Sequence, residues 1–302
     1  MFSIDELGLI AYLNDNALTG TNRMMTGLPS DMVGMVLDRY LSRDEGTGST
    51  EGDLLLAILN DRKIGREALA RTAGRVKEYL ENGIKVITYW DSSYPGNLRL
   101  SPDPPLVLYV TGNVFPGSDH VAILGTSNPS KGGLDLAYEF GAKLAKKGRT
   151  VVTGLSRGID AQALEGAIGA DGTAVAVLGT PLSDIYPDEI RLLAAEVSGK
   201  GAVISELTEE ADLHPGRFLQ RNRMICGMSG SVVVIESSGV EAMQRLIEQT
   251  IRQGRRAYIV DQEGFEEPEH GLGLGKLSRL GATPITSPNE FLSSESRQDR
   301  LF

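Results

Sequence analysis

A single cysteine, Cys226, stands among 302 residues, so the chain cannot form an internal disulfide. Histidine is nearly as scarce: His120, His214 and His270 are scattered, with no spacing that suits a metal. Aromatic residues make up 6% of the chain and include one tryptophan, which leaves few side chains on which bases can stack. Long apolar runs are missing. "SVVVI" and "TAVAVLG" fall far short of the roughly 20 residues that span a bilayer. The opening "MFSIDELGLIAYLND" carries acids where a secretory signal needs basic residues, so the expected location is the cytoplasm, away from membranes. No cofactor or metal is called for.

Positive charge is the minority sign. Thirty Lys and Arg face 40 Asp and Glu, a formal net charge of −10. That excludes a protein that coats nucleic acid with a broad basic face. A local basic pocket remains open, and binding there works against an unfavourable field and is sensitive to salt.

What is present divides near residue 85. Residues 1–82 hold apolar positions at helical spacing, interrupted by the polar "SRDEGTGSTEGD" at 42–53. The glycine-marked turns of "GTNRMMTGLPSDMVGMVLDRY" are those of helix-hairpin or SAM-like modules, giving a small all-helical domain. Its basic residues are sparse and mixed with acids, which favours packing or partner binding over independent DNA binding. From "GIKVITYW" onward, short β-branched runs ("PLVLYV", "VAILGT", "TVVTG", "TAVAVLG", "AVISE", "SVVVIE", "RAYIVD") alternate with helical segments. This predicts an α/β, Rossmann-like, mostly parallel sheet over 83–291 with helices on both faces. Residues 292–302 read as a flexible tail.

In such a sheet, ligands sit where the carboxyl ends of strands meet helix amino termini. "VAILGTSNPSKGG" puts Gly125, Thr126 and Ser127 directly after a strand, with Lys131 opening the next helix. "VVTGLSRGID" repeats the arrangement with Gly154, Arg157, Gly158 and Asp160. Small residues let backbone approach a ligand, and helix-start amides favour phosphate. The plain alternative is that these glycines make tight turns. Neither stretch is a dinucleotide fingerprint or a Walker A loop. A third segment, "RFLQRNRMICGMS", crowds Arg217, Phe218, Arg221, Asn222 and Arg223 ahead of a strand.

Together with "SSYPGNLRLSPDPPLVLYVTGN", "TAVAVLGTPLSDIYPDE" and "VVVIESSG", these segments follow the order and spacing of the DNA-processing protein A family, also called DprA or Smf. The chain resembles that family over residues 85–286. The resemblance implies an extended Rossmann fold that binds single-stranded DNA without being an established enzyme. It also implies a homodimer that protects incoming strands in natural transformation and helps load a RecA-type recombinase. On this reading Arg221, Asn222 and Arg223 hold successive phosphates, with Arg157 and Arg217 beside them and Ser238 and Gly239 at the end of the last motif. Phe218 is the foremost stacking platform, ahead of Tyr186 and Phe140. The competing reading is that one or both arginines pair with Asp160, Glu206 or Glu236 and orient the loop.

Several positions depart from the family pattern. Ser127 stands where an arginine is usual, Leu164 where a histidine is usual, and "VDQEG" replaces a proline-glycine. The helix after Ser238-Gly239 is long and begins "SGVEAM", and the family's common carboxyl-terminal winged helix is not expected. Two other functions therefore stay open: a nucleotide or phospho-ligand sensor or carrier, and a scaffold that has lost DNA binding. Catalysis has little to rest on. The "PGG-x-GT-x-x-E" stretch of related nucleotide hydrolases is not found, and Asp160 and Glu206 have no nucleophile beside them.

Overall fold

In the computed structural model, which describes residues 1–16, 19–44, 46–114, 119–185, 188–236, 240–261 and 274–298, the alternation of apolar runs and helical segments becomes one mixed sheet between two helical layers. The first 81 residues supply α1 (Ile4–Asp15), α2 (Thr19–Thr26), α3 (Ser30–Ser42), α4 (Thr50–Asp61) and α5 (Arg66–Glu81). Local chemistry sets their starts. Ser3 and Glu6 form a reciprocal capping box at α1, and Ser49 accepts from the Gly52 N–H at α4.

Strands β1 (Lys85–Thr88) and β2 (Val107–Gly112) follow, with the short helix α6 (Gly96–Arg99) between them. Then come β3 (His120–Leu124), α7 (Lys131–Lys146), β4 (Thr150–Thr153), α8 (Ile159–Gly169) and β5 (Ala174–Val177). The chain continues through α9 (Arg191–Lys200), β6 (Ala202–Ser205), α10 (Gly216–Met228), β7 (Ser231–Val234) and α11 (Val240–Arg252). It ends in β8 (Arg256–Val260), α12 (Leu274–Arg279), β9 (Thr283–Ile285) and α13 (Pro288–Gln298).

Among the described residues, nine strands pair in the order β1-β2-β6-β5-β4-β3-β7-β8-β9. The run from β6 to β9 is parallel, and β2 joins it antiparallel against β6. Strands covered on both faces read as unbroken apolar runs, and β3, β4 and β5 are buried throughout. Alternate side chains serve the two layers. Val121 and Ile123 pack with α7, α8 and α9, whereas Ala122 and Leu124 pack with α10 and α11. Strand order reverses between β3 and β7, so the crevice at the carboxyl ends of those two strands is the topological switch point.

The amino-terminal helices share the sheet's core. Leu9, Leu13, Val76 and Tyr79 belong to the same apolar cluster as Tyr109 of β2, and the Tyr79 and Tyr109 rings meet edge to face at 4.9 Å. A polar seam joins the two parts. Asn14 donates to the Glu206 carbonyl (2.6 Å) and accepts from the Leu106 N–H (2.8 Å). Residues 292–298, expected to lie in a tail, instead complete α13, where buried Glu295 pairs with Arg149 at 2.6 Å and Arg256 at 3.6 Å. Among the described residues, no helix is long and apolar enough to cross a membrane.

Candidate nucleic-acid interface

Three loops of the carboxyl-terminal sheet edge converge, and the charged groups among them are mostly spoken for. After β3, Gly125 and Ser127 are exposed while Thr126 is buried, its N–H donating to the Glu236 carbonyl at 2.7 Å. Ser130 caps α7 by accepting from the Gly133 N–H. Its own N–H (3.1 Å) and hydroxyl (3.0 Å) donate to the Glu236 carboxylate, which follows β7. A carboxylate of the chain thus occupies the switch point, where the start of α7 would otherwise attract a phosphate. Lys131, the first residue of α7, is exposed beside it.

After β4, Gly158 takes φ +80°, and a Cβ there would stand 2.5 Å from the Thr126 carbonyl oxygen, so the turn into α8 requires glycine. Arg157, one residue earlier, is 58% exposed and donates to the Glu189 carboxylate at 2.9 and 3.0 Å. Asp160 in the first turn of α8 is buried and accepts from the Gly154 N–H at 3.2 Å. Burial pushes its carboxyl up to about 6, against the pull of the nearby Arg221 guanidinium.

The arginines of α10 turn inward. Arg221 donates to the carbonyls of Gly154 (2.5 Å) and Val177 (2.6 Å), at the ends of β4 and β5. Gly154 leaves room for that guanidinium, which any Cβ at the position would overlap. Burial lowers the arginine's pKa while Asp160 opposes the fall. Arg217 donates to the backbone carbonyls of Asp212 and Asp15. Arg223 pairs with Glu206 and donates to the Asp103 carbonyl at 2.6 Å. Both guanidiniums, expected to grip successive phosphates, lie among acceptors of the protein itself, because buried strand ends and carboxylates leave oxygens that need donors.

The outer face of α10 differs. Phe218 is 42% exposed, and its ring lies over Gly179 at the end of β5, where a Cβ would stand 3.2 Å from it. Leu219 is exposed beside it, and half-buried Asn222 lies one turn on. Of the other aromatic residues, Phe140 is buried against Phe291, Tyr94 is buried with its hydroxyl on the Pro105 carbonyl, and the Trp90 indole donates to the Leu28 carbonyl. Cys226 fills core, and burial pushes its thiol up to about 11. Tyr186, Ser238 and Gly239 lie outside the described residues.

Thus Gly125, Ser127, Lys131, Arg157 and Phe218 are exposed on the carboxyl-terminal side of the sheet, Gly158 is half-buried, and Thr126, Gly154, Asp160, Arg217 and Arg221 are buried beneath. Reading the sequence alone left Asp15 out of the site. It is buried in the seam, accepts from the Thr208 N–H (2.9 Å) and hydroxyl (2.5 Å), and lies under the loop that leads into α10. No local pattern marks it.

Residues 85–296 match the family model described as DNA recombination-mediator protein A. The chain belongs to this family. A DprA-type relative from Bacillus subtilis, named DNA processing protein DprA, is 30% identical over 214 residues, covering 70% of this chain and 71% of its own length. Protein Smf of Synechocystis is 31% identical over 227 residues, which make up 72% of this chain. The chain spans 56% of that relative, little more than half its length. The solved DNA processing protein A of Streptococcus pneumoniae superposes with a TM-score of 0.67 at 23% identity, over 90% of this chain and 95% of its own. A second, the DNA processing protein A of Helicobacter pylori, described for its single-stranded DNA binding mode, superposes with a TM-score of 0.61 at 22% identity over 71% of this chain and 97% of its own. The fold of the DprA family is thus shared.

Proposed function

We propose that the chain binds single-stranded DNA along the carboxyl-terminal edge of its parallel sheet. The supporting observation is Phe218: a large aromatic ring left exposed at the start of α10, on the same carboxyl-terminal side of the sheet as the exposed cations Lys131, which opens α7 after β3, and Arg157, which follows β4. An exposed aromatic platform with flanking positive charge is what sequence-tolerant strand binding requires. Family membership and the binding described for the Helicobacter pylori relative point the same way. Glu206 is paired with Arg223, and Asp160 is buried with its carboxylate accepting from the Gly154 N–H, so binding rather than catalysis is the role we assign.

The nucleotide-sensor reading has less to support it. Glu236 holds the switch point with its own carboxylate, in the place a nucleotide phosphate would take. Protection of strands in natural transformation, delivery to a RecA-type recombinase, dimerisation and a cytoplasmic location are the further parts of our reading, carried by the family resemblance.

The test is fluorescence anisotropy of labelled oligothymidine at several salt concentrations, comparing wild type with Phe218→Ala. Affinity should fall with salt at about 0.7 log units per neutralised phosphate per log unit of salt, and strand should be preferred to duplex. Phe218→Ala should lose about 1–3 kcal/mol of affinity. A flat salt response in wild type would overturn the proposal.

A further inference from the structure

A cleft of 630 Å³ opens between α10 and α11, away from the switch point. Leu219, Asn222 and Arg223 line it from α10, and Arg245, Gln249 and Arg252 from α11. The α11 residues recur at i, i+4 and i+7, one stripe of a helix, so two guanidiniums flank an amide along a single wall. Pro102 and Leu246 add apolar surface. Arg223 is tied to Glu206, but the other two arginines are not so held. Arg245 meets Glu241 at 3.5 Å with 68% of its side chain exposed, and Arg252 meets Glu248 at 3.9 Å with 76% exposed. Exposed pairs within one helix are weak and give way to a stronger anion at little cost.

We infer that this cleft is a second segment of the DNA path, taking the sugar-phosphate backbone and bases that continue past Phe218. The inference rests on the proposed strand binding at the sheet edge. Leu219 joins the two places, since it neighbours Phe218 in sequence and also lines the cleft. Mobile arginines answer phosphates, side-chain amides answer base edges of either polarity, and leucine and proline answer base faces.

The experiment compares wild type with Arg245→Ala/Arg252→Ala on oligothymidines of about 6 and about 20 nucleotides. Arg66→Ala/Lys77→Ala, on the exposed face of α5, controls for net charge. With the long strand, the cleft variant should lower the salt slope by about 1.4, two phosphates' worth, while its affinity for the short strand stays at the wild-type value. The control variant should keep the wild-type slope, and Arg245→Lys/Arg252→Lys should restore it. An unchanged slope in the cleft variant, or an equal fall in the control, overturns the cleft while leaving the sheet edge standing. Absence of salt-dependent binding in wild type overturns both.

Discussion

Arg221 and Arg245 lie on neighbouring helices and have opposite fates. Arg221 is buried, bonded to two strand-end carbonyls, with Asp160 as its nearby counter-charge. Arg245 stands in solvent against one glutamate of its own helix. Charge and geometry are the same in isolation; what differs is whether the fold has already supplied acceptors. An arginine surrounded by protein oxygens is part of the scaffold, and one with a weak, exposed partner is available to a ligand. In this chain the "RNR" segment supplies mainly the former, and our proposal therefore assigns strand binding to Phe218, Lys131, Arg157 and α11.

The sharpest way to break this comparison is to remove the buried partner. Arg221→Ala leaves the carbonyls of Gly154 and Val177 without their donor and buried Asp160 without its counter-charge, so unfolding stability should fall by about 3–5 kcal/mol. Thermal denaturation measures it. A variant with unchanged melting temperature and lost DNA binding would put Arg221 on the ligand side after all.

Asp15 tests the same idea through pH. Burial pushes its carboxyl up to about 7 from 3.8, against the opposing effects of Thr208 bonding and Arg217. A folded pKa above the unfolded one means the native state holds the proton more tightly. Its contribution is therefore fully present below about pH 4 and lost as pH rises through about 7, a difference on the order of a few kcal/mol. Asp15→Asn can keep the bond from the Thr208 N–H and needs no deprotonation. Its stability relative to wild type should rise steadily from pH 4 to pH 7 in urea titrations, about 1 kcal/mol per pH unit at the steepest. A difference independent of pH would mean that Asp15 is solvated and the seam is not a committed contact.

The same contrast explains what could be read from residues alone. The sheet was legible, because runs such as "VAIL" and "VVVI" are apolar at every position, as strands covered on both faces must be. The arginine cluster of α10 was visible too. Its destination was not, because the oxygens that claim Arg221 lie 44 and 67 residues away and meet only in the folded sheet. Glu295 went unread for a similar reason: a polar ending looks frayed until Arg149 and Arg256 are brought against it. Arg245 and Arg252 were hidden by their own glutamates, which make α11 resemble any solvated helix.

Smaller effects refine the exposed side. Phe218→Ala should cost about 1–3 kcal/mol of strand affinity, yet change stability by about 0.5 kcal/mol or less, since the residue is surface-exposed at the start of α10. A large fall in melting temperature would move Phe218 to the scaffold. Arg157 should give the smallest signal. Its partner Glu189 is exposed, and hydrogen bonds from Arg157 hold that carboxyl below its usual range, so the pair exists in solvent and is worth little to the fold. Once a phosphate competes, the guanidinium can exchange one anion for another without desolvation. Arg157→Ala should therefore leave the melting temperature in place and lower the salt slope by about 0.7. Glu189→Gln should strengthen binding, because it removes a carboxylate that competes with phosphate for the guanidinium. If both variants bind as wild type does, Arg157 belongs with Arg221 despite its exposure, and exposure alone would no longer separate the two classes.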